Sequence, residues 1–402
     1  MTARSGIIAR RLGAAGLSTA AVIVPLTTIV SHSFARSSYP LLLPAIKDDM
    51  VLSNTQAGVG GTAIFAAYLT GVIVVTLVSG AVEPVTILRS GLAVSGLGLV
   101  LIALSPSFPF LLLGLVLSSS GGAGIWITAP LLATEGVAAD RRGIVIGLLT
   151  GTIGLGTSAV ALGTRLARTS TGNADLWRPI YTVEAVVTVA VLLIVLGGVR
   201  ARVTARTPGG RISLVGLRTV PGWKAITIAY VMFGAIASGY TSFLAEALEE
   251  DGGLSRSAVA NIYIGLGITS LFGAPLMGWI SDRAGRRRAL MAVMIMIMMV
   301  STTVALVTGP LLALTVLTVG GMWASYPTLT ATYMRDHLED RTFGAAYGTM
   351  TIFYAMAAVP PPFLVGAIAD WRGSFTASYL LVTALAVAGL LALRGLPRES
   401  AT

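Results

Sequence analysis

The apolar and polar positions of the chain alternate on a long scale: apolar runs of about 20 residues are separated by short polar turns. Runs of that length with so few charges can cross a hydrocarbon layer about 30 Å thick as helices, which satisfy every backbone group internally. The pattern predicts twelve spans: roughly 13–46, 54–79, 90–104, 108–133, one beginning after Asp140-Arg141-Arg142, one beginning near Trp177-Arg178, then 224–247, 258–280, 289–307, 311–334, 343–368 and 374–393. Span 1 carries Pro25, Pro40 and Pro44 and is expected to kink, and Pro360-Pro361-Pro362 should break span 11. The expected fold class is an all-α polytopic membrane protein.

Local words recur about 200 positions apart, a sign of internal duplication. Gly124-Ile125-Trp126-Ile127-Thr128-Ala129-Pro130 matches Gly321-Met322-Trp323-Ala324-Ser325-Tyr326-Pro327; Trp177-Arg178 matches Trp371-Arg372; Leu52-Ser53 matches Leu254-Ser255; Asp140-Arg141 matches Asp340-Arg341. One six-helix unit is therefore present twice, giving an N-terminal half at 1–197, a cytoplasmic linker at 198–223 and a C-terminal half at 224–402.

Composition agrees with a membrane location: 55% of the 402 residues are hydrophobic and 11% are charged. The net charge of +10 would suggest nucleic acid in a soluble protein. About 20 of the 27 Lys and Arg fall in segments predicted to be cytoplasmic, so the surplus is topological and no nucleic acid is expected. Arg4, Arg10 and Arg11 precede the first apolar run as in a secretory signal, but that run is long and continues into a polar-patterned helix. An uncleaved first span with both termini cytoplasmic is expected. There is no cysteine, hence no disulfide or Cys-based metal site. Met291, Met294, Met296, Met298 and Met299 are spread round a whole helix turn, as packing residues are, and no metal or cofactor is expected.

The most informative turn is Gly278-Trp279-Ile280-Ser281-Asp282-Arg283-Ala284-Gly285-Arg286-Arg287-Arg288, whose arginines place it on the cytoplasmic side. Gly278 and Gly285 would let two helices and their connection approach closely, and Asp282 could cap a helix or pair with arginine. The pattern G-x-x-x-D-R-x-G-R-R resembles the loop signature of the major facilitator superfamily (MFS), found there between helices 2 and 3 and again between 8 and 9. In the first half, Gly80-Ala81-Val82-Glu83-Pro84 occupies the corresponding place with Pro84 where Asp belongs and only Arg89 left of the basic run. The resemblance implies twelve transmembrane helices in two six-helix halves and a central site lined by spans 1, 4, 7 and 10. It also implies inner-loop charges that latch the cytoplasmic side, here Gly278, Asp282, Arg283, Gly285 and Arg286 with Glu135, Arg141, Glu339 and Arg341. Span 4 lacks the arginine of proton-driven drug exporters, having Leu117 and Ser118 instead, and Gly151-Thr152-Ile153-Gly154-Leu155-Gly156 lacks the proline of the antiporter signature.

Within the spans, Arg36 stands out, about 11 residues or 16 Å from the acidic end of span 1. His32, Arg36 and Tyr39 share one face at helical spacing, and the repeat sets Ser238 opposite Arg36, so the arginine breaks the symmetry. Arg36 reads as a forked anchor for a carboxylate, or as a structural arginine satisfying carbonyls freed by Pro40 and Pro44. Trp126, Tyr230, Tyr240, Trp323 and Tyr326 bring amphipathic rings to the cavity-lining spans, as ligand contacts or as packing. His32 and Glu246 are the candidate proton carriers, with interfacial solvation the competing role for Glu246.

No H-E-x-x-H, paired intramembrane aspartates or Ser-Lys dyad occurs at mid-span, and no soluble signalling domain is attached, so neither an intramembrane enzyme nor a sensor is favoured. The expected function is secondary active transport of a small organic anion or amphipathic metabolite across a bacterial cytoplasmic membrane, by proton-coupled alternating access. The alternative is export of amphipathic drugs. The expected partners are a small-molecule substrate and the lipid bilayer, with the chain acting as a monomer.

Overall fold

The computed structural model describes residues 19–138, 142–172, 176–199, 214–320 and 325–397. Helix occupies the place of every expected span, and no strand occurs among the described residues. Span 1 consists of Thr19–Thr28, a π-helical turn Ile29–Ser37 and Ser38–Met50; spans 2 to 6 are Asn54–Val78, Pro84–Ala103, Phe108–Thr134, Arg142–Thr171 and Trp177–Gly198. Span 7 is Trp223–Ser242 followed by a short helix Leu244–Glu250; spans 8 and 9 are Arg256–Ala284 and Arg286–Leu306. Span 10 includes Pro310–Gly320 and Tyr326–Arg335, span 11 is Asp340–Ala357 and Pro361–Arg372, and span 12 is Thr376–Leu393. Among the described residues, ten helical stretches are long and apolar enough to cross a membrane. The remaining two spans are span 1, divided by its π turn, and span 10, whose residues 321–324 lie outside the described set.

Two features depart from the apolar pattern. Span 3 starts at Pro84 rather than near Ser90, because proline is well suited to the first helical position, where its missing N–H costs nothing. Span 1 is interrupted by a π turn at Ile29–Ser37, while Pro40 and Pro44 lie in regular helix. Span 11 does break at its prolines, as expected.

The duplicated words make duplicated contacts. Ser53 Oγ accepts the Gln56 N–H at 3.1 Å and Ser255 Oγ accepts the Ala258 N–H at 3.2 Å, so both Leu-Ser words cap a helix. Gln56 Oε1 accepts the Ser53 N–H in return, completing a capping box. Arg178 and Arg372 each lie over the preceding tryptophan, 4.1 and 4.3 Å from the ring centroid.

The chain condenses into two compact units. The first comprises 1–38, 67–160 and 176–209; the second comprises 39–66, 161–175 and 210–402. The second unit thus takes in the latter part of span 1 and the early part of span 2. In the first unit, spans 3 and 4 meet on glycine: a Cβ on Gly91 would stand 2.7 Å from the Gly121 carbonyl oxygen, and one on Gly114 would stand 2.8 Å from that of Gly98. Close helix approach through small residues is how apolar helices gain packing energy in lipid. On span 6, Trp177, Tyr181, Glu184, Ala185, Thr188, Val191 and Val195 form the buried stripe, while Val183, Val186 and Leu193 are exposed. Such an apolar outer surface is what hydrocarbon would cover.

Candidate functional site

The π turn is the local structure from which the site is built. The Ser38 N–H bonds the Ser33 carbonyl, five residues back instead of four. Hydroxyls crowd this stretch and compete with the regular ladder: Ser37 Oγ donates to the His32 carbonyl at 3.2 Å, and Ser38 Oγ lies 3.1 Å from the Ser33 carbonyl oxygen. Neighbouring spans hold the turn. Ser119 Oγ of span 4 donates to the Ala35 carbonyl at 3.3 Å, and Ser33 Oγ donates to the Ile153 carbonyl of span 5 at 3.0 Å. Gly122 allows the approach, since a Cβ there would lie 3.1 Å from the Ser31 carbonyl oxygen.

The wider turn separates residues that a 3.6-residue period would align. His32 and Arg36 remain together, half-buried in the first unit. Tyr39 is fully buried in the second, its hydroxyl donating to the Ala57 carbonyl at 2.9 Å, so it ties span 1 to span 2. The expected single face of His32, Arg36 and Tyr39 does not form.

What gathers around His32 and Arg36 is aromatic. The His32 ring lies 4.3 Å, centroid to centroid, from Trp126 of span 4, and meets Tyr68 of span 2 edge-on at 6.4 Å. The Arg36 guanidinium stands 4.7 Å from the Tyr68 ring centroid, within cation–π range. His32 Nδ1 is 2.9 Å from Ser31 Oγ. All four of His32, Arg36, Tyr68 and Trp126 are partly exposed, so the cluster presents a fixed cation and three rings without being sealed in the core. Tyr68 escaped the sequence pattern because it sits in the apolar run of span 2 with no motif around it.

A second residue hidden from the pattern is Glu184. It is 2% exposed on the buried stripe of span 6, and its Oε1 lies 2.5 Å from Ser38 Oγ, at the end of the π turn. The signal was present: a lone carboxylate seven residues into an apolar run.

The remaining candidates of the second unit are packed. Tyr230, Tyr240 and Tyr326 are buried; Tyr230 stacks on Tyr354 at 4.9 Å and its hydroxyl lies 3.3 Å from that of Tyr347. Tyr326 stacks on Phe233 at 4.6 Å. Ser238 is buried, its hydroxyl turned back to the Gly234 carbonyl of its own helix at 3.4 Å. Trp323 lies outside the described residues.

Charges cluster at helix ends. Lys47 Nζ bonds both Glu246 Oε2 and Glu250 Oε1 at 3.0 Å. Arg256 pairs with Asp48 and, at 3.3 Å, with Glu249. The Asp370 carboxylate accepts the N–H groups of Asn54 and Thr55 at 2.9 and 2.7 Å. Glu246 is therefore not a solvated interfacial carboxylate: at 2% exposure it is held by Lys47. Burial pushes its carboxyl up, against the pull of the Lys47 ammonium.

At the opposite ends, Arg286 pairs with Asp282 and places Nε 2.9 Å from Asp336 Oδ2. Arg283 lies 3.9 Å from the Trp279 ring centroid. Gly285 joins spans 8 and 9 at φ 94° and ψ 151°, a conformation essentially reserved for glycine. Gly278 has nothing within 4 Å of where a Cβ would be, so it permits no close approach and the expectation for it is corrected. Glu135 ends span 4 and Glu339 precedes span 11, while Arg142 Nε donates to the Val137 carbonyl at 3.2 Å. Arg141 and the Arg341 side chain lie outside the described residues. The acid facing Arg286 is Asp336, which no repeat or motif had singled out.

Apolar helical spans joined by charged turns are the architecture of a transporter of the major facilitator superfamily, to which the chain belongs. Within it, the chain belongs to the family described as "Uncharacterised MFS-type transporter YbfB", whose model matches residues 13–394. No curated protein matches it in sequence. Among solved structures it is similar in fold to the nucleoside transporter NupG, at 11% identity and a TM-score of 0.75, covering 94% of this chain and 97% of that one. It is likewise similar to a bacterial homolog of the human lysosomal transporter Spinster in an inward-facing, unoccupied conformation. That likeness has 16% identity and a TM-score of 0.74, covering 94% of this chain and 98% of the other. The family and these neighbours are transporters, not enzymes, and the protein is a multi-pass membrane protein that binds a small-molecule substrate.

Proposed function

We propose that the protein is a secondary carrier that moves a small organic anion or amphipathic metabolite across a bacterial cytoplasmic membrane by proton-coupled alternating access. It works as a monomer with both termini inside, and its two six-helix halves are the moving bodies. The observation that carries this proposal is Arg36, set over Tyr68 beside the His32–Trp126 pair in a half-open cluster. Guanidinium is charged at any physiological pH and offers a planar fork matched to a carboxylate, while the rings hold an organic body. Asp282, Arg286 and Asp336 serve as the inner latch, and the Lys47 and Arg256 clusters as the outer one.

The test is uptake of radiolabelled carboxylates into proteoliposomes. A charge-assisted contact is worth about 1.5–3 kcal/mol, so Arg36→Ala should raise the apparent KM by roughly 10- to 150-fold. Carboxylate transport indifferent to Arg36→Ala would overturn the assignment. Resistance to amphipathic cations that survives the substitution and is abolished by an uncoupler would instead favour drug export.

A further inference from the structure

We propose that Glu184 is a proton-carrying carboxyl of the first unit, protonated in the arrangement described above and discharged when the π turn of span 1 rearranges. This deepens the proton-coupled reading given above and moves the proton from His32 and Glu246 to a residue of span 6.

The geometry of Ser38 is the first support. Its Oγ lies within hydrogen-bond distance of two acceptors, the Ser33 carbonyl oxygen at 3.1 Å and Glu184 Oε1 at 2.5 Å. A hydroxyl carries one hydrogen. One hydrogen shared between both acceptors would make each a weaker three-centre bond, whereas a proton on Glu184, its O–H donating to Ser38 Oγ while Ser38 donates to Ser33, would make both full hydrogen bonds.

The surroundings are the second. Glu184 is 2% exposed, and its Oε2 has no hydrogen-bond partner. Spans 1 and 3 pack against span 6. From span 3 the ionisable side chain is Arg89, which donates to the Val199 carbonyl at 2.8 Å, about 15 residues and so roughly four turns of span 6 away. From span 1 come His32 and Arg36, set against Trp126 and Tyr68. On its own helix, Arg178 lies over Trp177 and bonds the Ser105 carbonyl at 3.1 Å, while Tyr181 is a neutral phenol. Ser38 is the one polar side-chain partner of Glu184 among the described residues. A carboxylate buried with a single neutral donor and no counter-ion is disfavoured, and the neutral acid is the form such a site accommodates.

The balance is simple. Glu184 loses H+ to water, becoming a carboxylate, and the Ser38 hydrogen swings from the Ser33 carbonyl to the new anion. Ser33 then keeps only the Ser38 N–H that defines the last π bond. Charge on Glu184 is thereby linked to the turn that holds His32 and Arg36.

The test uses the proton as its own probe and needs no substrate, so its outcome is independent of the Arg36 experiment. Infrared spectra of the purified full chain in lipid at pH 7 should contain a protonated-carboxyl C=O band that Glu184→Gln removes and Ser38→Ala shifts. Hydrogen exchange over 29–38, corrected for intrinsic rates, should lose about tenfold in protection in the wild type as the band titrates away with rising pH. It should stay level in Glu184→Gln. A wild-type band identical to that of Glu184→Gln, or the same pH dependence of exchange in both proteins, would overturn the proposal. Should Glu184→Gln fail to fold, titration of the Ser38→Ala band decides: no shift relative to the wild type refutes the link.

Discussion

Lys47 is the charge whose removal should tilt the carrier most. It bonds Glu246 and Glu250, each at 3.0 Å, and its own side chain is 12% exposed. The two carboxylates differ. Glu250 is 48% exposed, so its pair with Lys47 is a surface one worth about 0–1 kcal/mol. Glu246 is 2% exposed, and removing the partner of a charge so buried costs about 3–5 kcal/mol. Part of that is recovered if Glu246 takes up a proton, which burial already favours, leaving about 2–3 kcal/mol or roughly 30- to 150-fold in a conformational equilibrium. In Lys47→Met the chain should spend that much more time with this end of span 1 released. The chain has no cysteine, so spin labels at Val51→Cys and Leu311→Cys, both exposed, can report the distance without background labelling. The longer-distance population should grow by the stated factor, and Lys47→Met with Glu246→Gln should reverse most of it. A distribution unchanged within twofold would mean that the cluster contributes nothing to closure.

Other perturbations separate conformation from binding. Asp282 is 66% exposed, so its pair with Arg286 is worth only about 0.2–1 kcal/mol. Asp282→Asn should slow conformational exchange severalfold while leaving equilibrium substrate affinity intact, and a large loss of affinity in folded protein would place Asp282 in the site instead. Gly285→Val forces a branched residue into φ 94°, costing about 1–3 kcal/mol, and should lower the thermal midpoint, while Gly278→Ala, in helix with open space around it, should raise it slightly. Gly114→Leu should cost at least about 1–3 kcal/mol by overpacking spans 3 and 4, again read as a lower thermal midpoint.

Which features could be read in the sequence follows from how local their physics is. The apolar spans, the repeated Leu-Ser words and the polar turn at Gly285 each depend on a few neighbouring residues, so pattern alone reached them, though not the capping bonds those Leu-Ser words make. The site depends on register across helices, and there the regular helical period misled: the π turn displaces Tyr39 from His32 and Arg36 while leaving the composition of span 1 unchanged. Glu184 shows the same limit from the other side. As a lone acid in an apolar run it has no motif, and its meaning arises from Ser38, 146 positions earlier, which comes into reach at the end of that turn. The repeat adds the last step. The repeat expected from the sequence sets Ser238 opposite Arg36, yet span 1 widens into a π turn there while span 7 continues as regular helix, the Ser238 hydroxyl donating to the Gly234 carbonyl of its own helix. The charged cluster, the widened turn and the buried acid all lie in the first unit. In the function proposed above, anion and proton would then be held within one compact unit, where a change at Glu184 reaches Arg36 through the turn that Ser38 closes.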